Sequence, residues 1–277
     1  MPKAFFGSIS SDLACNVAAY LQAKNWHIEG TYRNLSHQIE ELSSKGAKLY
    51  KLDFNNSSEI EQLFEDKLIA KDWKFSMISP SIIGKLGRFG EINWNEWNKT
   101  FQLNSLSQFN LIHKILPRKI EKEQSILWLW GGPGTNNAPK EHSALILAKI
   151  AQIKFVEILN EEYEDLIPIA IGPGWVKTKT HDEVLKMGEK AGYKYKEVVE
   201  RIESGNFTSM QTILDFLDWI LSQEKKVIGG RNFSIRSDIW GDFELEEFLK
   251  KNKDAFKLRR FFNDWRPENV AINFNPK

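Results

Sequence analysis

Short apolar runs alternate with helix-length amphipathic segments along this chain, the pattern of a parallel sheet whose strands are joined by helical crossovers. Residues 4–6, 28–32, 47–52, 75–78, 125–130, 167–171 and 232–235 read as strands. Leu13, Val17, Ala18 and Leu21 recur at helical spacing directly after a polar turn over 7–12. Ile60, Leu63 and Phe64 mark one face of a helix over 58–68. Trp97, Phe101, Asn104, Leu106, Phe109, Ile112 and Leu116 predict one long helix over 94–116, stopped by Pro117. A further stripe of Leu147, Ala148, Ala151, Phe155, Ile158 and Leu159 carries a helix from about 145 to 163. Residues 180–203 read as a helical insertion rich in Lys and Glu, and 208–223 as another helix. From Phe243 a helical tail begins, acidic first and then basic. With no repeat, low-complexity tract or linker, the expected fold is α/β: a doubly wound parallel sheet with helices on both faces. It forms a single domain over 1–277, with a lid-like insertion at 180–205 and a helical tail at 243–277.

Charge and composition narrow the function. The 38 Lys and Arg against 37 Asp and Glu leave a net charge of +1, so no global field draws the chain to nucleic acid or to an anionic membrane. A hydrophobic fraction of 42% supports a sizeable core. Apolar runs such as 126–130 are too short to span a bilayer, and the N-terminus lacks the features of a signal peptide. The one cysteine, Cys15, excludes an internal disulfide and a cysteine-based zinc cluster, and reads as a small buried hydrophobe. No His-x-x-x-His or acidic cluster has metal-ligand spacing. The ten tryptophans read as core or interface anchors, and the lysines of 190–196 and 250–257 as solvated helix faces. These features predict a cytoplasmic protein with a small-molecule substrate.

Candidate chemistry starts at the first turn. A strand, a glycine-containing turn and a helix N-terminus can cradle a pyrophosphate with backbone N–H groups and the helix dipole. The segment Gly7, Ser8, Ile9, Ser10, Ser11, Asp12, Leu13, Ala14 has that placement but only the first glycine. Asp12 and Ala14 stand where later glycines are expected; Asp12 also has the ordinary role of a helix cap. The second strand ends in Arg33 and no acid, which favours NADP(H) over NAD(H).

Taken together, several blocks resemble the short-chain dehydrogenase/reductase family across nearly the whole chain. Leu52-Asp53-Phe54 resembles the family's adenine-contacting Asp, Asn104 its mid-helix Asn and Lys149 its active-site Lys. The loop Pro173-Gly174-Trp175-Val176-Lys177-Thr178 is similar to the Pro-Gly-x-Val-x-Thr loop that covers the nicotinamide. A narrower likeness, to members of bacterial surface-polysaccharide and sugar-nucleotide pathways, rests on 131–135, 180–185 and 233–240. The resemblance implies a Rossmann-type domain, an NAD(P)-dependent oxidoreductase and a homodimer or homotetramer built on the Asn104 and Lys149 helices.

What the resemblance also implies is a Tyr-x-x-x-Lys pair and a Ser, and here this chain departs from the family. Leu145 occupies the Tyr position and Trp130 the Ser position. In the family Tyr moves the proton, with its pKa of about 10 lowered by the Lys cation; Asn holds a relay water and Lys binds the ribose. Lys149 and Asn104 keep the cofactor and relay roles, whereas Leu145 and Trp130 remove the proton donor and the substrate-orienting hydroxyl. His142, three residues before Leu145, and His181, Tyr193 and Tyr195 in the lid are substitute donors or plain surface residues; Lys149 is itself an alternative acid. The expected cofactor contacts are Gly7, Ser8, Ser10, Asp12, Leu13, Arg33, Asp53, Phe54, Asn104, Lys149, Pro173, Gly174, Val176 and Thr178. Two readings follow: a divergent oxidoreductase on a carbohydrate-derived or similar polar substrate, or a catalytically silent member acting as a nucleotide-binding or oligomerisation partner.

Overall fold

A computed structural model gives the fold, and it describes residues 1–132 and 134–260, apart from the side chains of Lys179, Thr180, Glu183, Ala191, Tyr193 and Lys194. Seven strands, β1 (Lys3–Gly7), β2 (His27–Tyr32), β3 (Lys48–Lys51), β4 (Phe75–Ile78), β5 (Ser125–Trp130), β6 (Leu166–Gly172) and β7 (Asn232–Ser234), form one sheet. Its order is β3-β2-β1-β4-β5-β6-β7 and every pairing is parallel. The chain winds outward one way from β1 and then crosses back to β4. Between those two strands the order reverses, which opens the crevice where ligands of such sheets bind.

Alternation along the strands sorts the core into two layers. Ile126, Trp128 and Trp130 of β5 belong to one, with Cys15, Val17, Ala18 and Leu21 of α1 (Asp12–Ala23) and Ile213, Phe216 and Ile220 of α9 (Met210–Ser222). Leu127 and Leu129 belong to the other, with Leu111, Ile112 and Ile115 of α5 (Leu106–Ile115) and Ile153, Val156 and Leu159 of α6 (Ser143–Glu162).

The strand positions agree with the hydrophobic pattern; helix boundaries depart from it in informative places. The single helix expected over 94–116 is two, α4 (Trp94–Asn104) and α5, separated at Ser105, whose φ of −139° and ψ of −77° are not helical. The apolar stripe runs on through this break, so periodicity gives no sign of it. The helix expected over 58–68 stops early, as α3 (Ser57–Leu63). A short helix α2 (His37–Ser44), capped by Ser36, buries only Ile39 and Leu42, too little apolar pattern to be noticed in sequence. The insertion folds as α7 (Lys179–Met187) and α8 (Tyr193–Glu203). The tail gives α11 (Phe243–Lys251) after a one-turn α10 (Lys225–Ile228); its remainder from 261 lies outside the described residues. Nor are the lysines of 250–257 a solvated helix face, because α11 ends at Lys251 and the Lys257 side chain is 8% exposed. Among the described residues no helix is long and apolar enough to cross a membrane.

Candidate active site

A cavity of about 280 Å³ opens at the strand-order reversal. Its walls come from the segments that leave β1, β2, β3 and β4: Ser8 and Ser10, then Arg33 to Ser36, Leu52 to Phe54, and Pro80 to Ile82. Ser8 takes the left-handed φ of +69° that a glycine would otherwise supply, and its N–H donates to the Thr31 hydroxyl at 3.1 Å. Gly7 has no room for a side chain, since a Cβ there would lie 2.7 Å from Leu111 Cδ2. The cap of α1 is Ser11, whose Oγ accepts from the Ala14 N–H; Asp12 is the first helical residue, not the cap. Arg33 is the one cation and Asp53 the one anion among the described lining residues. The Asp53 carboxylate is held below the usual range, first by the Asn55 N–H at 2.9 Å and with a smaller contribution from Arg33.

A hydrogen-bonded path leads from this cavity to Lys149. Ser81 donates to Asn104 Oδ1 at 2.8 Å, and Asn104 Nδ2 donates to the Ile82 and Thr100 carbonyls. The Asn104 side chain therefore fixes the cavity wall, while its carbonyl, beside the Ser105 break, accepts from Gln152 Nε2. Gln152 also donates to Gln108 Oε1, and its own Oε1 receives Lys149 Nζ at 3.4 Å. The second acceptor of Lys149 is the Trp130 carbonyl at 2.8 Å. Burial pushes the Lys149 ammonium down to about 8, so it still carries its charge at neutral pH. Sequence reasoning missed Gln152; a polar residue one turn beyond Lys149 on the inward face of α6 was the available signal.

The residue opposite Lys149 is Gly132. A Cβ there would lie 2.8 Å from Lys149 Cγ, whereas the Trp130 indole packs against Trp128 at 5.0 Å, tilted by 59°, in the other core layer. Trp130 thus meets Lys149 through its backbone and does not fill the space beside the ammonium. Leu145, one turn before Lys149, is half-buried.

After β6, the 173–178 loop turns at Gly174 (φ +72°) and is fastened by Thr208, which donates to the Pro173 carbonyl at 2.6 Å. Val176 is buried and bridges to Thr208. Thr178 starts α7, and its N–H donates to His181 Nδ1 at 3.0 Å. That ring packs on Trp175 at 4.3 Å, and Arg201 lies over the same indole at 5.6 Å. Desolvation lowers the His181 pKa, opposed in part by Glu197 and Asp182.

A family model described as enoyl-(acyl carrier protein) reductase, of the short-chain dehydrogenase/reductase type, matches residues 8–236. The chain belongs to the short-chain dehydrogenase/reductase family. No curated protein sequence matches it. Among solved structures it is similar to a short-chain dehydrogenase/reductase from Saccharomyces cerevisiae, with a TM-score of 0.71 at 18% identity over 88% of this chain and 99% of that one. An actinorhodin polyketide ketoreductase variant solved with NADPH gives a TM-score of 0.71 at 14% identity, over 87% and 98%. A Shigella flexneri short-chain dehydrogenase complexed with NADP gives 0.68 at 15%, over 85% and 97%. At these identities the likeness establishes the fold.

Within this reductase fold the expected site residues fall into groups. Ser8, Ser10, Arg33, Asp53 and Phe54 share the cavity, Gly7, Asp12 and Leu13 frame its turn, and Asn104 braces its wall. Lys149 joins them through Gln152, and Pro173, Gly174, Val176 and Thr178 form the loop after β6, outside the described lining of the cavity. Of the substitute donors, His142 is tied to the Lys140 carbonyl at the start of α6 and His181 to Thr178. The side chain of Tyr193 lies outside the described residues.

Proposed function

We propose that this protein is a divergent NADP(H)-dependent oxidoreductase of its family, acting on a polar, carbohydrate-derived carbonyl or hydroxyl substrate without the usual tyrosine and serine. The observation that carries the reading is the convergence of the Ser8–Ser10 turn, Arg33 and Asp53 on one cavity at the strand-order reversal. Those residues fit the adenosine half of a dinucleotide: backbone N–H groups for pyrophosphate, Arg33 for a 2′-phosphate and Asp53 for the adenine amino group. When bound, the nicotinamide supplies or accepts the hydride. Lys149 gives two of its three donors to Trp130 and Gln152, which leaves the third for a ribose hydroxyl. His181 and Arg201, packed on the Trp175 indole, bring hydrogen-bonding groups to the loop, and these suit the hydroxyls of a sugar.

Cofactor binding tests this reading. NADPH is expected to raise the melting temperature more than NADH does, and Arg33→Ala to weaken NADPH about tenfold, the loss of one charge-assisted hydrogen bond. NADH affinity should stay within about twofold, because the lost contact belongs to the phosphate. Absence of protection by either dinucleotide would overturn the proposal. One observation favours the silent reading: Lys149 is 5% exposed and committed to protein acceptors. Tight NADPH binding with no turnover on any carbonyl would select it.

A homodimer through α5 and α6 belongs to the same proposal. Leu106 and Leu147 are each 51% exposed on these helices, and Ile158 is 45% exposed on α6. Phe109 and Phe155 meet between the two helices at 4.3 Å. Light scattering is expected to give a dimer or tetramer for the wild type and a monomer for Leu106→Asp/Leu147→Asp. An unchanged mass in that variant would refute this face.

A further inference from the structure

At the opposite edge of the sheet, where β5 and β7 begin, lies a second and larger cavity of about 530 Å³. It is enclosed by the last turn of α6, the α10 turn and the end of α11. Lys225, Lys226, Arg231, Lys250, Lys253 and Lys257 line it, against the carboxylates of Glu161 and Glu224, a formal excess of four positive charges.

Several of these cations are already engaged. Arg231, 2% exposed, gives its terminal nitrogens to the carbonyls of Lys226, Leu249, Asn252 and Ala255, closing the ends of α10 and α11. Its Nε–H is buried without a partner among the described residues. Lys225 donates to the Asn160 and Tyr163 carbonyls at 2.8 and 2.6 Å, which neutralise no charge. Lys250 is held between Glu224 at 3.3 Å and Glu247 at 3.0 Å. Lys257 is the exception: it is 8% exposed, and its carboxylate partner Glu161 stands at 3.9 Å, beyond hydrogen-bond reach. Burial, and then the neighbouring Arg231 charge, push its ammonium below the usual lysine range.

Buried Arg231 and the covered Lys257 side chain, ringed by the more exposed Lys226, Lys250 and Lys253, make an under-neutralised set of cations that an anion stabilises. Among the described lining residues Leu249 is the only sizeable apolar side chain and none is aromatic, so none of them stacks on a base. The volume is that of a small-molecule site. One phosphate group brings a charge of about −2 at most, so two or more joined groups are needed to match the excess. We propose that this cavity is a second binding site, separate from the cofactor crevice, for a linear polyphosphate group presented by pyrophosphate, triphosphate or a nucleoside triphosphate. Recognition is of the phosphate chain, with lysines as point charges.

Calorimetric titration of the full chain with inorganic tripolyphosphate tests this, with ATP, inorganic phosphate and sulfate at matched ionic strength beside it. Tripolyphosphate and ATP are expected to bind within threefold of each other, and phosphate and sulfate at least tenfold more weakly. Lys226 and Lys253 are exposed, so Lys226→Glu/Lys253→Glu leaves the fold intact and is expected to weaken tripolyphosphate at least tenfold. Lys257→Gln, which keeps most of the side-chain volume, should weaken it as well, and Arg33→Ala should not. No binding at millimolar tripolyphosphate, or a response to sulfate equal to that of tripolyphosphate, overturns the site. Loss in Arg33→Ala with retention in the two lysine variants also overturns it, by placing the anion in the cofactor crevice.

Discussion

Leu145→Tyr is expected to raise NADPH-dependent reduction of activated ketones and aldehydes about 10²- to 10⁴-fold, the usual contribution of a positioned general acid. Leu145 precedes Lys149 by one helical turn, so both side chains leave α6 on the same face. A phenol in that position gains from what is already present. The Lys149 cation, with its pKa brought down to about 8, is still charged at neutral pH and favours the phenolate that forms as the proton leaves. Adding a serine opposite is a poorer repair, because at Gly132 its Cβ would press on the Lys149 stem at 2.8 Å. Leu145→Phe is the control, filling the same space with no proton to give. Equal rates for the Tyr and Phe variants would show that the loss of proton chemistry extends beyond this residue, and the oxidoreductase reading would have to rest on cofactor binding alone.

The strands and their parallel arrangement were legible because burial on both faces leaves short unbroken apolar runs, such as 126–130; the similar run at 144–148 is set apart by the helical stripe that continues from it to Leu159. Arg33 and Asp53 could be placed near one another for a related reason: each follows a strand whose C-terminal end borders the same crevice. Contacts made through space were not legible. The break at Ser105 interrupts no apolar stripe, yet it releases the Asn104 carbonyl to Gln152, 48 residues later. Trp130 and Gly132 illustrate the same limit. Which of two neighbouring residues faces Lys149 depends on where β5 ends and the loop bends, and periodicity does not register that. Lys257 looked like one more solvated lysine because sequence shows its charge but not the helix that stops short of it.

The wild type is expected to gain stability with pH above neutrality, and Lys149→Met to flatten that rise. Burial lowers the folded-state pKa of Lys149 from 10.5 to about 8, a difference worth roughly 3 kcal/mol. Below pH 8 both folded and unfolded chains hold this proton, and the buried charge opposes folding by that full amount. Between about 8 and 10.5 the unfolded chain binds more protons than the folded one, so stability climbs with pH; above 10.5 the penalty is gone. Methionine removes both the penalty and the climb. It also strands the Trp130 carbonyl and Gln152 Oε1, a loss of about 1–3 kcal/mol that offsets part of the gain at pH 7. Urea unfolding of both proteins at pH 7 and pH 10 separates these effects, since every other titrating group is common to the two and cancels in the difference. Parallel pH profiles would mean that the folded protein leaves the Lys149 pKa at its unfolded value, so that burial imposes no penalty on its charge. A diverging pair, together with weaker NADPH binding by the variant, would tie the two observations together: a charge that works against the fold is held where, under the proposed function, a cofactor ribose meets it, one helical turn from Leu145.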